Sequence, residues 1–234
     1  MNRFTTILWD VDGTLLDFGY SQNYAIKKCF QTIGEPITEE MIDRYSQIND
    51  SFWKRLEKKE ITREELLPGR FLQLFQEYHI EGVNLIAFMQ EYQESLGNVY
   101  SFQDDALTIL TALHGHMKQY VVTNGVTSTQ KSKLRLSGIY NLMEGVFISE
   151  QLGADKPSDE FFGKALAQVA EQDRRKILIV GDSLSSDILG GVRAGIATCW
   201  YNPKGLENPT DIQPDYEIQD LHQIYEVLEI ICGG

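Results

Sequence analysis

Apolar and polar positions change rhythm twice along this chain. Thr5 to Trp9 form a short, mostly apolar, β-prone run. It ends abruptly at two carboxylates, Asp10 and Asp12, with Gly13 behind them to permit a turn. From about Tyr20 to Gly97 the apolar residues recur at helical spacing and no run reads as a strand. Thr62-Arg63-Glu64-Glu65 has the capping-box spacing and predicts a helix start, and Pro68-Gly69 predicts a kink or an end. The helix expected beyond it carries Phe71, Leu74, Phe75 and Tyr78 on one face. Gly34-Glu35-Pro36, Lys59-Glu60 and Gly82 predict further breaks. From Phe102 onward strands and helices alternate. The strands are expected at 120–123, 145–149, 177–180 and 197–201, and the helices at 104–114, 129–136, 158–169, 187–194 and 221–231. The stretch from Pro203 to Pro214 reads as a surface loop.

Strands alternating with helices predict an α/β fold, a Rossmann-like doubly wound parallel sheet with right-handed crossovers and helices on both faces. An all-helical domain interrupts it after the first strand. The expected boundaries are 1–17 and 99–234 for the sheet domain and 18–98 for the insert. In such a sheet the carboxyl ends of the strands share one edge, where ligands bind. That edge collects Asp10 and Asp12, then Thr123, Asn124 and Gly125, then Gly181, Asp182 and Ser183 with Asp187 in the next turn. Lys156 stands before Pro157 in a loop that leads to a helix. Two close carboxylates repel unless a cation or a shared proton lies between them, and hard oxygen donors of this kind suit Mg²⁺. Asp10 attacking phosphorus would give an aspartyl-phosphate, and Asp12 would give a proton to the leaving oxygen and later take one from water. A metal and Lys156 would neutralise the charge that opposes the attack.

Composition narrows the partners. Of 234 residues 42% are hydrophobic and 24% charged, ordinary for a globular protein, while the formal net charge is -13. Such a surface disfavours nucleic acid and anionic membranes, and no apolar run approaches a membrane span. Met1-Asn2-Arg3-Phe4 leads straight into the first strand, so no signal peptide is expected. Cys29, Cys199 and Cys232 are odd in number and widely spaced, which fits buried thiols in a reduced cytoplasmic compartment. The four histidines show no ligand spacing with them.

Asp10-Val11-Asp12-Gly13-Thr14-Leu15, Thr123-Asn124-Gly125, Lys156-Pro157 and Gly181-Asp182-Ser183 followed by Asp187 resemble the four motifs of the haloacid dehalogenase-like (HAD) phosphohydrolases, in family order. The helical insert resembles the cap of that superfamily's first subclass. The resemblance implies Asp10 as nucleophile and Asp12 as general acid/base. It implies Mg²⁺ held by the Asp10 carboxylate, the Asp12 main-chain carbonyl and Asp182, with Asp187 orienting the site. It implies Thr123, the Asn124 amide and Lys156 as holders of the phosphoryl group. Thr14 and Ser183 stand beside these as turn or site residues. More narrowly, the run from Gly181 to Ile188, the glycines up to Gly195 and Thr198-Cys199-Trp200-Tyr201-Asn202-Pro203 look like the bacterial pyrimidine 5′-nucleotidase branch. The expected activity is therefore phosphomonoester hydrolysis on nucleoside 5′-monophosphates, with a small phosphorylated metabolite as the partner and a monomer or homodimer as the form. The alternatives are another phosphatase or a phosphomutase on a sugar phosphate, and a phosphoryl-accepting signalling module. In the insert, Phe18, Tyr20, Asn23, Trp53, Lys59 and Arg70 are candidates for substrate contact, the aromatics by stacking and Arg70 by pairing with oxygens.

Overall fold

The structure, a computed structural model, describes residues 3–229. The chain divides into two compact units, one ending at Asp17 and resuming at Ser101, the other running from Phe18 to Tyr100. The second crossing therefore falls two residues beyond the expected edge at 98/99. Backbone pairing explains this. The Asp17 N–H donates to Ser101 O at 2.9 Å and the Gln103 N–H to Leu15 O at 3.0 Å, which ties residues 101–103 to the first strand's exit.

The first unit is a six-stranded parallel sheet. Its strands are β1 (Thr6–Trp9), β2 (Lys118–Thr123), β3 (Gly145–Ile148), β4 (Ile177–Gly181), β5 (Ala197–Tyr201) and β6 (Tyr216–Ile218). Their order is β3-β2-β1-β4-β5-β6, with every pair parallel. The chain builds outward from β1 to β3 and then restarts on the other side of β1 with β4. The switch point of the doubly wound sheet thus lies between β1 and β4, where ligands bind in such folds. All residues of β1 and β4 are buried, as a central parallel strand covered on both faces requires. Between the strands run α5 (Ala106–Leu113), α6 (Thr127–Leu136), α7 (Ser149–Leu152), α8 (Asp159–Leu166) and α9 (Leu189–Ala194), with α10 (Ile224–Val227) after β6. Ser158 caps α8, its hydroxyl accepting from the Phe161 N–H.

Three features differ from the sequence expectation. β6 lies just past the expected surface loop, where no element is expected: it is three residues long and only Ile218 is buried. The helix expected from Asp187 is preceded by a turn of π-helix over Leu184–Ile188, so Asp187 lies inside that turn, and Ser183 caps it. The final helix is a short 3₁₀ turn at Leu221–Gln223 continued by α10, which ends in a turn at Leu228 and Glu229; positions 230 and 231 of the expected span, and Cys232 beyond it, lie outside the described residues.

The second unit is all helical: α1 (Phe18–Ile33), α2 (Glu39–Glu57), α3 (Arg63–Glu77) and α4 (Leu85–Gly97). Its core includes Phe30, Tyr45, Phe71, Leu74, Phe88 and Tyr92. The capping box forms, with the Thr62 hydroxyl accepting from the Glu65 N–H and the Glu65 carboxylate from the Thr62 N–H. Pro68 does not break α3. It removes one hydrogen bond near the helix start, at a cost of about 3 kcal/mol. Burial of Leu66, Phe71, Leu74 and Phe75 along that helix offsets this at about 1.5–3 kcal/mol each. Gly69 also leaves room for the Phe52 ring, which a Cβ there would meet at 2.6 Å.

Candidate active site

The carboxyl ends of β1, β2 and β4 bring one set of polar groups together, all within the sheet unit. Asp10, the residue after β1, is 6% exposed. Its Oδ1 accepts from Lys156 Nζ at 2.7 Å and its Oδ2 from the Thr14 hydroxyl at 3.1 Å. Lys156 spends its three donors on Asp10, on Asp187 Oδ1 at 2.6 Å and on Val122 O at 2.9 Å. Asp187 is also fully buried, and its Oδ2 accepts from the Ser183 N–H at 3.1 Å. Its capping role is thus taken by Ser183, and its carboxylate is free to hold Lys156. Thr14 links β1 to β4, its hydroxyl accepting from the Asp182 N–H at 3.0 Å. Gly13 has φ +96, and a Cβ on it would lie 2.6 Å from Asp182 Oδ2. A side chain there would therefore be strained and would also push the Asp182 carboxylate away. The Trp200 indole N–H donates to Asp182 O at 2.9 Å and fixes that loop from β5.

Asp12 faces a different set of partners. Its Oδ1 accepts from Lys133 Nζ and its Oδ2 from Gln130 Nε2, both at 2.6 Å. Neither α6 residue stands out in the sequence, because polar side chains on a polar helix read as solvent-facing. The available signal was their spacing: Gln130, Lys133 and Leu134 share one helix face, and Leu134 is core. Thr123 is buried at the end of β2. The Asn124 side chain clasps the Lys156 backbone, Nδ2 donating to Lys156 O at 3.0 Å and Oδ1 accepting from the Lys156 N–H at 2.9 Å. That clasp leaves the main-chain N–H of Asn124 as its group for a ligand.

The candidates in the helical unit are dispersed. Phe18 and Trp53 pack against that unit's core, Tyr20 is half exposed, and Asn23 and Lys59 are exposed. Arg70 is buried, its guanidinium over the Phe71 and Tyr92 rings and donating to Asn49 Oδ1 at 2.7 Å. Arg70, the candidate for pairing with substrate oxygens, is thus engaged by two rings and an amide of its own unit.

The electrostatics favour a bound cation. Burial pushes the Asp10 carboxyl up to about 7; Lys156 pulls it down, while Asp187 and Asp12 push it further up. Asp182 is pushed well above the carboxylate range by the protein around it and by Asp10 and Asp187, although its exposed side chain lets water relieve part of this. Burial alone would lower Lys156, but Asp10 and Asp187 outweigh it and hold the ammonium above the usual lysine range. Asp10, Asp182 and Asp187 can each offer an oxygen, all within 4.8 Å of one another. Three crowded carboxylates against one ammonium are a donor set that fits a hard divalent cation such as Mg²⁺. The Asp12 side chain is outside this group.

This has a measurable consequence. The folded-state pKa of Asp10, about 7, lies above its ordinary 3.8, so its contribution to stability is whole below about pH 4 and is lost as the pH rises through 7. In cation-free buffer the unfolding temperature should fall between pH 5 and pH 8. Mg²⁺ at a hundredfold above its Kd should restore about 2.7 kcal/mol at pH 8 and less at pH 5, measured by calorimetry. Equal gains at the two pH values would contradict a cation held by these carboxylates.

Comparison with known proteins places this geometry. The family model described as haloacid dehalogenase-like hydrolase matches residues 4–195. The chain is 36% identical to the putative HAD-hydrolase YfnB of Bacillus subtilis over 98% of this chain and 97% of that protein. The crystal structure of YfnB bound to magnesium superimposes with a TM-score of 0.93, covering 97% of this chain and 100% of that one. Pyrimidine 5′-nucleotidase PynA of Streptococcus pneumoniae is 37% identical over 95% of this chain and 94% of its own length. Pyrimidine 5′-nucleotidase YjjG of Escherichia coli is 30% identical over 97% of this chain and 98% of its own.

Proposed function

This chain belongs to the haloacid dehalogenase-like hydrolase family, and on that premise we propose that it is a Mg²⁺-dependent phosphomonoesterase acting on nucleoside 5′-monophosphates, pyrimidine ones first, through an aspartyl-phosphate on Asp10. The observation that carries the chemistry is the pair of carboxylates at the end of β1 with separate partners, Asp10 on Lys156 and Thr14, Asp12 on Lys133 and Gln130. Separate partners support reading one carboxylate as nucleophile and the other as acid/base, a division a single pocket with shared donors would blur. The preference for pyrimidine nucleotides rests on the two full-length nucleotidase relatives.

An Asp10 oxygen attacks phosphorus while the Asp12 carboxyl gives its proton to the departing oxygen. Asp12, now a carboxylate, then takes a proton from the water that attacks the phosphorus of the aspartyl-phosphate, and Asp10 is regenerated. The buried Thr123 hydroxyl and the Asn124 N–H hold phosphoryl oxygens, and Lys156 contributes the positive charge that offsets theirs. Asp10, the Asp12 carbonyl and Asp182 would hold Mg²⁺, with Asp187 behind them, and the cation supplies charge neutralisation between carboxylate and phosphoryl group. Among the described residues no helix is long and apolar enough to cross a membrane. Cys29 and Cys199 are buried free thiols, each pushed up to about 12 by burial, which suits the reducing conditions of cytoplasm.

The test is a panel of phosphate esters scored by kcat/KM. Pyrimidine nucleoside monophosphates should lead purine nucleotides and sugar phosphates by about tenfold or more. Sugar phosphates in the lead would overturn the substrate class. A phosphorylated Asp10 that persists without phosphate release would overturn the enzymatic reading.

A further inference from the structure

The arrangement of Asp12 with its two partners on α6 is costly. Lys133 has no exposed side-chain surface and Gln130 is 2% exposed. Gln130 gives its Nε2–H to Asp12, while its Oε1 is buried with no hydrogen-bond partner among the described residues. Turning the amide over would set Oε1 against the carboxylate, so its orientation is fixed by Asp12. A buried ammonium and a half-satisfied amide stabilise a fold less well than two apolar side chains of the same shape. Stability does not account for them.

We propose that Gln130 and Lys133 are positioning residues for Asp12, fixing its carboxylate for proton transfer to the leaving oxygen. This rests on the acid/base reading of Asp12 given above. Each carboxylate oxygen has two lone-pair sites, and each donor occupies one. Holding both oxygens sets the carboxylate plane while leaving a site on each for the proton that Asp12 gives to the leaving oxygen. In the step served, an Asp10 oxygen bonds to phosphorus, the bond from phosphorus to the leaving oxygen breaks, and the Asp12 proton goes onto that oxygen. The new Asp12 negative charge then forms next to the Lys133 ammonium. The loop after β2 takes part as well: a Cβ on Gly125 would lie 2.6 Å from Gln130 Nε2, so the glycine keeps the amide in place. Thr123-Asn124-Gly125 and the two α6 residues therefore form one continuous stretch that places both the phosphoryl contacts and the acid/base.

A leaving-group comparison separates positioning from mere structure. A nucleoside 5′-oxygen is a strongly basic leaving group and needs the proton; p-nitrophenolate departs without it. In Gln130→Leu and Lys133→Met, kcat/KM for a pyrimidine nucleoside 5′-monophosphate should fall about 100-fold and that for p-nitrophenyl phosphate less than about fivefold. The ratio of the two, taken on one preparation, is independent of how much of the protein is folded. Lys133→Arg, which keeps a cationic donor, should recover most of the ratio. Equal losses on both substrates would overturn the positioning role and leave the Asp10 mechanism standing. Survival of activity in an Asp10 variant would instead overturn the reading beneath it.

Discussion

Asp10→Asn should lower kcat for phosphomonoester hydrolysis by about 10⁴-fold or more while leaving the fold intact. Asparagine matches aspartate in shape, and its Oδ1 can still accept from Lys156, now 2.7 Å from the Asp10 carboxylate. What is lost is the nucleophilic oxygen anion. The structural cost should be nil or negative. Asp10 is buried beside Asp187 and Asp182, and burial, with the Asp187 and Asp12 charges, holds its carboxyl up to about 7. Removing one of three crowded negative charges relieves repulsion, so in cation-free buffer at pH 8 the variant should unfold at the same temperature as the parent or higher. Kinetics and calorimetry on one preparation check both halves. Near-parental turnover would remove Asp10 from the chemistry.

Lys156→Met should be damaging in both respects. The ammonium is 1% exposed and bridges Asp10 and Asp187, themselves 9% and 2% exposed at the side chain. Methionine fills the volume but leaves two buried carboxylates without their cation. Breaking a buried ion pair from one side costs about 3–5 kcal/mol. At about 2–4 °C per kcal/mol for a chain of this size, the unfolding temperature should drop by about 6–20 °C. Activity should fall by about 10²–10³-fold at temperatures where the variant is folded, the effect of removing one preorganised charge at a developing anion. The Val122 carbonyl also loses its donor, which Arg would reach differently, so Lys156→Arg should not restore full activity. An unfolding temperature unchanged by Lys156→Met would show that the ammonium is not the counter-charge of this cluster.

Sequence legibility varies from residue to residue. The run from Ile177 to Val180 reads as a buried strand because a central parallel strand has no polar face to show, and β4 is buried throughout. The strand-end acids were legible because aspartate and glycine after an apolar run have few other reasons to be there. Thr62 and Glu65 carried their capping box in their spacing. β6 was not legible: three residues with one buried side chain carry no period, and their place is set by pairing with β5. The π-turn at Leu184–Ile188 was hidden because Ser183 caps an ordinary helix equally well. Gln130 and Lys133 escaped for one shared reason. A polar side chain is assumed to face water, and its burial depends on a partner far away in sequence, 118 residues for Gln130 and 121 for Lys133.

The central claim is that phosphorus passes through a covalent bond to Asp10. Its most direct measurement is the stereochemical course of hydrolysis, using a nucleoside 5′-phosphorothioate made chiral at phosphorus with oxygen isotopes. Two successive in-line displacements, first by Asp10 and then by water, should return thiophosphate with retained configuration. Inversion would mean that water attacks the substrate directly, and would contradict the account.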